Sequence, residues 1–269
     1  MKKKNRLQTI SLIICCMIFC YSTWQLVNYF QQTYTANKQF ETVETIAFTH
    51  TTDTDTISRN TKKIETEVKP QQESKQEETF QYEKLKNQNE DSIGWITIKD
   101  TKINYPVMYR EGDNEFYLHH NFQKENSIAG TPFLDGNCNP LSENENLILY
   151  AHHMKNGSMF AGLMKYTDPS YYKEHKTIQL YIQNEKHIYE IFAVCQISAS
   201  YEQEMYDMID LDEFQYTKYI KQIKENALYE TTSYPEKQER LLLLSTCEYT
   251  KENGRFIVLA KEIEPQSNR

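Results

Sequence analysis

The sequence predicts a mainly β fold, a barrel with helices at its edge, and three observations carry that prediction. Short apolar, strand-like segments recur from Ile93 to Ile263, and within that stretch one segment alone has helical periodicity. One of the strands, Leu241-Leu242-Leu243-Leu244-Ser245-Thr246, runs straight into Cys247. With 269 residues, 39% hydrophobic content and 20 Tyr, the chain has material for one sizeable domain plus appendages. A mean hydropathy of -0.75 and only 7 Gly argue against a multispanning protein.

In order, Phe80 to Leu85 predicts a short helix, and Ile93-Gly94-Trp95-Ile96-Thr97-Ile98 the first barrel strand. Further strands are predicted at Tyr105 to Tyr109, Gly130 to Leu134, Leu147 to Ala151, Thr177 to Ile182, His187 to Ser198, Leu241 to Thr246 and Arg255 to Ile263. From Asp210 to Glu230, Leu211, Phe214, Ile220, Ile223 and Ala227 recur at helical spacing, and Asp210 with Glu213 makes a start like a capping box. No internal repeat is visible.

Ahead of the domain, Lys2, Lys3, Lys4 and Arg6 precede an apolar stretch from Leu7 to about Phe30. Its length suits a bilayer span of about 20 residues, and the basic flank belongs in the cytoplasm. A cleaved signal peptide is the rival reading. The apolar run, however, ends on Tyr21, Trp24 and Tyr29, the residues of an interfacial belt, and no small-x-small cleavage site follows it. Residues 31–79 are rich in Thr, Lys, Glu and Gln and predict a solvated stalk, partly helical near Phe40 to Phe48. The expected organisation is an anchor over 1–30, a linker over 31–79 and the main folded domain over 80–269.

Chemistry concentrates at two strand ends. The polar loop Glu248 to Gly254 lets a second apolar strand, from Arg255, return beside the cysteine strand. A permanently charged guanidinium then stands near a thiol, where it can hold an oxyanion or a carbonyl or favour thiolate. The alternative is an inert buried cysteine beside a surface arginine. About a hundred residues upstream, Asn146-Leu147-Ile148-Leu149-Tyr150 leads into Ala151-His152-His153-Met154-Lys155-Asn156-Gly157. A cysteine and a histidine far apart in sequence, each at a strand tip, suit a thiol nucleophile with an imidazole partner. His152 is the favoured histidine because it lies nearer the strand; His153, facing the other way in an extended chain, reads as structural.

Leu-Ser-Thr-Cys at 244–247, Arg255, the segment from Tyr150 to Phe160 and the N-terminal anchor together resemble a class B sortase, over roughly Tyr82 to Lys261. The resemblance implies a closed sortase-like β-barrel of about eight strands with peripheral helices, one long helix being inserted before the cysteine strand. It also implies a membrane-bound cysteine transpeptidase of a Gram-positive bacterium, with Cys247 as nucleophile, His152 as general acid and Arg255 binding the substrate threonine carbonyl or the oxyanion. Where the family has Gly before the histidine this chain has Ala151, which is free of strain only if φ there stays negative. By the same resemblance Asn114 and Leu118 line the sorting-peptide pocket, a turn Asn and a core Leu being the alternative. Ser245 and Thr246 are candidates for substrate contact, with strand packing as their alternative. No triad acid is assigned.

The implied partners are surface proteins or pilins with a C-terminal sorting signal and the amino group of a peptidoglycan precursor. The rival functions are an extracellular cysteine peptidase using water as acceptor and a noncatalytic anchored binding module. A net charge of -8 gives no reason to expect nucleic acid. No Cys-x-x-Cys pair or His-Glu-x-x-His helix supports a metal, and no cofactor is implied. Cys15, Cys16 and Cys20 fall in the anchor; Cys138, Cys195 and Cys247 lie beyond it, so at least one of these stays a free thiol while a Cys138–Cys195 bridge is open.

Overall fold

The computed structural model describes residues 2–50, 78–198, 201–236, 239–248 and 254–263. Helix α1 (Lys2–Ala47) opens the chain. Strands β1 (Phe48–His50) and β2 (Glu78–Phe80) pair with each other, and α2 (Tyr82–Gln88) follows. The barrel strands are β3 (Ser92–Thr97), β4 (Asn104–Met108), β5 (Phe133–Leu134), β6 (Leu147–Tyr150), β7 (Thr177–Ile182), β8 (Glu185–Ile197), β9 (Leu241–Glu248) and β10 (Gly254–Ile263). Between them lie α3 (Phe116–His119), a 3-10 stretch with α4 (Pro169–Glu174), and α5 (Glu202–Tyr206) with α6 (Glu213–Asn226).

These eight strands close into the expected barrel, and their order is β10-β8-β7-β3-β4-β5-β6-β9. Most neighbours are antiparallel, but β4–β5 and β6–β9 run parallel. The leucine run shows why β9 is apolar throughout. Leu242 and Leu244 point into the barrel, while Leu241 and Leu243 pack beneath α6 against Tyr216, Tyr219 and Ile223. Both faces of the strand are therefore covered, and each buried leucine contributes about 2 kcal/mol.

Several expectations shift. The inserted helix begins at Glu213, because Asp212 rather than Asp210 is its cap: Gln215 N–H donates to Asp212 Oδ1 at 2.8 Å and Asp212 N–H to Gln215 Oε1 at 2.9 Å. It ends at Asn226, since Ala227 is extended and bridges to Cys195. Phe80 belongs to β2, so the short helix starts at Tyr82, and the strand foreseen over Gly130 to Leu134 shrinks to Phe133–Leu134. Cys138 and Cys195 are both free and buried in different clusters, so the open bridge is not formed.

The largest difference concerns the segment read as a solvated linker. α1 continues without a break to Ala47, and Ala36, Phe40, Val43 and Ala47 are buried against the barrel. Their spacing of four, three and four places them on one helix face. Phe40 meets Tyr105 edge-to-face with centroids 5.2 Å apart, and Asn104 Nδ2 donates to Glu44 Oε1 at 2.6 Å. The rest of the expected linker, 51–77, lies outside the described residues.

Candidate active site

The parallel pairing of β6 with β9 builds the site. Its register sets Ile148 beside Leu243 and Tyr150 beside Ser245. Residues 148, 150 and 152 therefore share a face with 243, 245 and 247, and His152 and Cys247 stand two residues beyond the same rung. Beyond that rung the strands stay joined, with Ala151 N–H donating to Ser245 O at 3.3 Å and Thr246 Oγ1 donating to Ala151 O at 2.8 Å. On the other side of β9, the hairpin to β10 sets Arg255 directly opposite Cys247. Cross-strand neighbours in such a pair have Cβ atoms about 5 Å apart.

A cleft of about 320 Å³ covers this end of the sheet, lined among others by Asn114, Leu118, His152, Ser245, Thr246, Cys247 and Arg255. The seven residues singled out from the sequence thus meet in one place. Phe133, Tyr150 and Tyr206 add aromatic walls. Tyr150 was legible in principle, two residues before His152 on the same strand face. Tyr206 reaches the cleft only because α5 folds back over β9, where its hydroxyl and Ser245 Oγ are 2.6 Å apart, a contact with no local signature.

Each group is held by backbone. His152 Nε2–H donates to Leu118 O at 2.8 Å; a carbonyl can only accept, so this nitrogen carries the hydrogen and Nδ1 is the one available to a ligand. Burial is the main influence on the ring and lowers the His152 pKa below 6.5, so the imidazole is neutral at pH 7. His153 Nδ1–H donates to Cys247 O at 3.0 Å, which gives it the structural part expected of it and braces the cysteine backbone. Ala151 keeps a negative φ and is unstrained. Among the described residues, no group of three or more His, Cys, Asp or Glu is placed to hold a metal ion.

A Sortase domain model matches residues 96–263, which contain every strand of the cleft. Sortase B of Listeria monocytogenes serovar 1/2a is 35% identical over 183 residues, covering 66% of this chain and 72% of that protein. The chain is a class B sortase. Among solved structures, Bacillus anthracis sortase B in complex with AAEK1 superposes with a TM-score of 0.69 at 28% identity, covering 88% of this sortase and all (100%) of that chain. A Staphylococcus aureus sortase B–substrate complex gives 0.62 at 29% identity, covering 68% of this sortase and 84% of that chain. The protein is accordingly a cysteine transpeptidase, a chemistry that needs a thiol, a proton donor and an anion-stabilising group at one locus.

Proposed function

We propose that this sortase cleaves the C-terminal sorting signal of surface proteins or pilins and transfers them to an amino group of a cell-wall precursor or a pilin. The observation that carries the reading is the meeting of Cys247, His152 and Arg255 at one cleft between two parallel strand ends and a hairpin. The Cys247 sulfur attacks the carbonyl carbon of the residue before the cut while His152 Nδ1 takes the thiol proton, and Arg255 balances the negative charge that grows on the carbonyl oxygen. The carbon–nitrogen bond breaks, His152 Nδ1 passes the proton it took from the thiol to the departing amine, and a thioacyl enzyme remains. An incoming amine attacks the thioester and loses a proton to the imidazole, which hands it to the departing Cys247 sulfur, so one amide replaces another without a nucleotide. Asn114, Leu118, Ser245 and Thr246 line the peptide path, although the hydroxyls of Ser245 and Thr246 already have protein partners. Binding at this cleft is supported by the Staphylococcus aureus sortase B, a relative solved as a substrate complex.

The exposed, apolar first part of α1 supports a single-pass anchor, with the N-terminus cytoplasmic and the catalytic domain outside the cell. The test is to incubate the detergent-solubilised chain with a library of sorting peptides, with and without an amine acceptor. An amide product that Cys247→Ala abolishes is expected. Hydrolysis with no amide product at any acceptor concentration would point to the peptidase instead, and turnover retained in Cys247→Ala would refute both.

A further inference from the structure

Asp135 follows β5 and is anchored on both sides: its N–H donates to Ile148 O at 2.9 Å, and its carbonyl accepts from Cys138 N–H at 3.0 Å. The residue is only 6% exposed, and its side chain takes four hydrogen bonds, all from neutral donors. Oδ1 closes a turn, accepting from Asn137 N–H at 2.9 Å and Asn137 Nδ2 at 2.8 Å. The other oxygen does something a turn does not require. Oδ2 accepts from Asn114 Nδ2 at 3.0 Å and from the Tyr150 hydroxyl at 2.9 Å, and both of these residues line the cleft. Keeping a carboxylate out of water is costly, so its presence here calls for a role that a neutral turn residue would not fill.

The hydrogen count defines that role. A phenol has one hydrogen, and Tyr150 gives it to Asp135, so toward the cleft its oxygen is an acceptor only. Asn114 Oδ1 is taken by Gly136 N–H at 2.6 Å and one Nδ2 hydrogen goes to Asp135, which leaves a single amide hydrogen to donate. We propose that Asp135 is a positioning residue that fixes this polarity, so that the cleft wall offers a peptide one N–H donor beside one oxygen acceptor. The complementary ligand group has an acceptor and a donor side by side, as a peptide unit or a carboxamide side chain does. The inference deepens the proposed function and rests on the cleft being a peptide site.

The test measures steady-state cleavage by the full-length chain in detergent, using a quenched-fluorescent peptide with an Asn-Pro pair and a threonine at the cut, the kind of signal that the resemblance to class B sortases implies. Asp135→Asn, Tyr150→Phe and the double variant are compared. Replacing one carboxylate oxygen by an amide releases the Tyr150 hydrogen, so KM is expected to rise about tenfold while kcat stays within about twofold. The rate of Cys247 alkylation by iodoacetamide should not move, and the double variant should be no worse than the poorer single one. An unchanged KM in folded Asp135→Asn, a loss in kcat alone, or fully additive effects would overturn the inference. If Asp135→Asn fails to fold, Tyr150→Phe decides: a raised KM at constant kcat supports it, and an unchanged KM refutes it. A folded wild-type chain that cleaves no peptide would sink the proposed function itself, whereas an active wild type with insensitive variants sinks only this inference.

Discussion

Gly130 shows how far the arrangement of the imidazole reaches into ordinary backbone. Its φ is +61°, and a Cβ there would lie 2.5 Å from Tyr117 O and 2.8 Å from Leu118 O, the carbonyl that orients His152. Gly130→Ala should cost about 1–3 kcal/mol of stability and lower peptide turnover by displacing that carbonyl, as denaturant melts and steady-state assays would record. His152 itself couples fold and pH. Because burial lowers its pKa in the folded state, the unfolded chain binds the proton more readily, and stability falls as pH drops from 6.5 through the folded value. An imidazole NMR titration midpoint below 6.5, and a shallower acid loss of stability in His152→Gln, are the expected results; a midpoint at or above 6.5 would contradict them. The thiols divide in the same way by environment. Burial pushes Cys138 and Cys195 up to about 12, so of the three cysteines beyond the apolar N-terminal stretch only Cys247 should be alkylated at pH 8, as peptide mass mapping would show.

Among the elements, the parallel β6–β9 pair matters most to function, and it was the part least visible in the sequence. Alternation along Leu241 to Thr246 reveals a strand, but pairing direction depends on partners nearly a hundred residues away, which no local pattern records. The hairpin that sets Arg255 opposite Cys247 was legible because one loop joins its strands. α1 erred in the opposite sense, for its thin stripe of Ala36, Phe40, Val43 and Ala47 was diluted by polar neighbours and read as solvated. That stripe touches the site by a short route: Phe40 packs on Tyr105, whose hydroxyl accepts from Met159 N–H at 3.0 Å, and Met159 bridges to His153. Phe40→Ala should destabilise the domain by about 3–5 kcal/mol, whereas Phe214→Ala, at a side chain 78% exposed on α6, should stay within about 0.5 kcal/mol. Equal melting temperatures for the two variants would refute the docking of α1.

On the scale of the molecule, closure of the barrel followed from the family resemblance and the strand count, while the course of the apolar N-terminal helix relative to the barrel could come only from the fold. α1 spans 46 residues, a rod of about 70 Å, with its membrane-compatible part and its docked part on one axis. Deleting residues 2–27 should release the chain from vesicles in flotation assays yet leave its melting temperature nearly unchanged, because the docked face, which begins at Tyr29, is retained. Loss of cooperative melting in that truncation would show that the apolar part also supports the barrel. Sulfur chemistry has a further bearing on handling and on habitat. Since Cys138 and Cys195 sit apart as reduced thiols in separate cores, the barrel owes none of its integrity to oxidation. The enzyme can therefore mature, and the Cys247 thiol be guarded by reductant, in surroundings that would dismantle a cystine-stapled exoprotein.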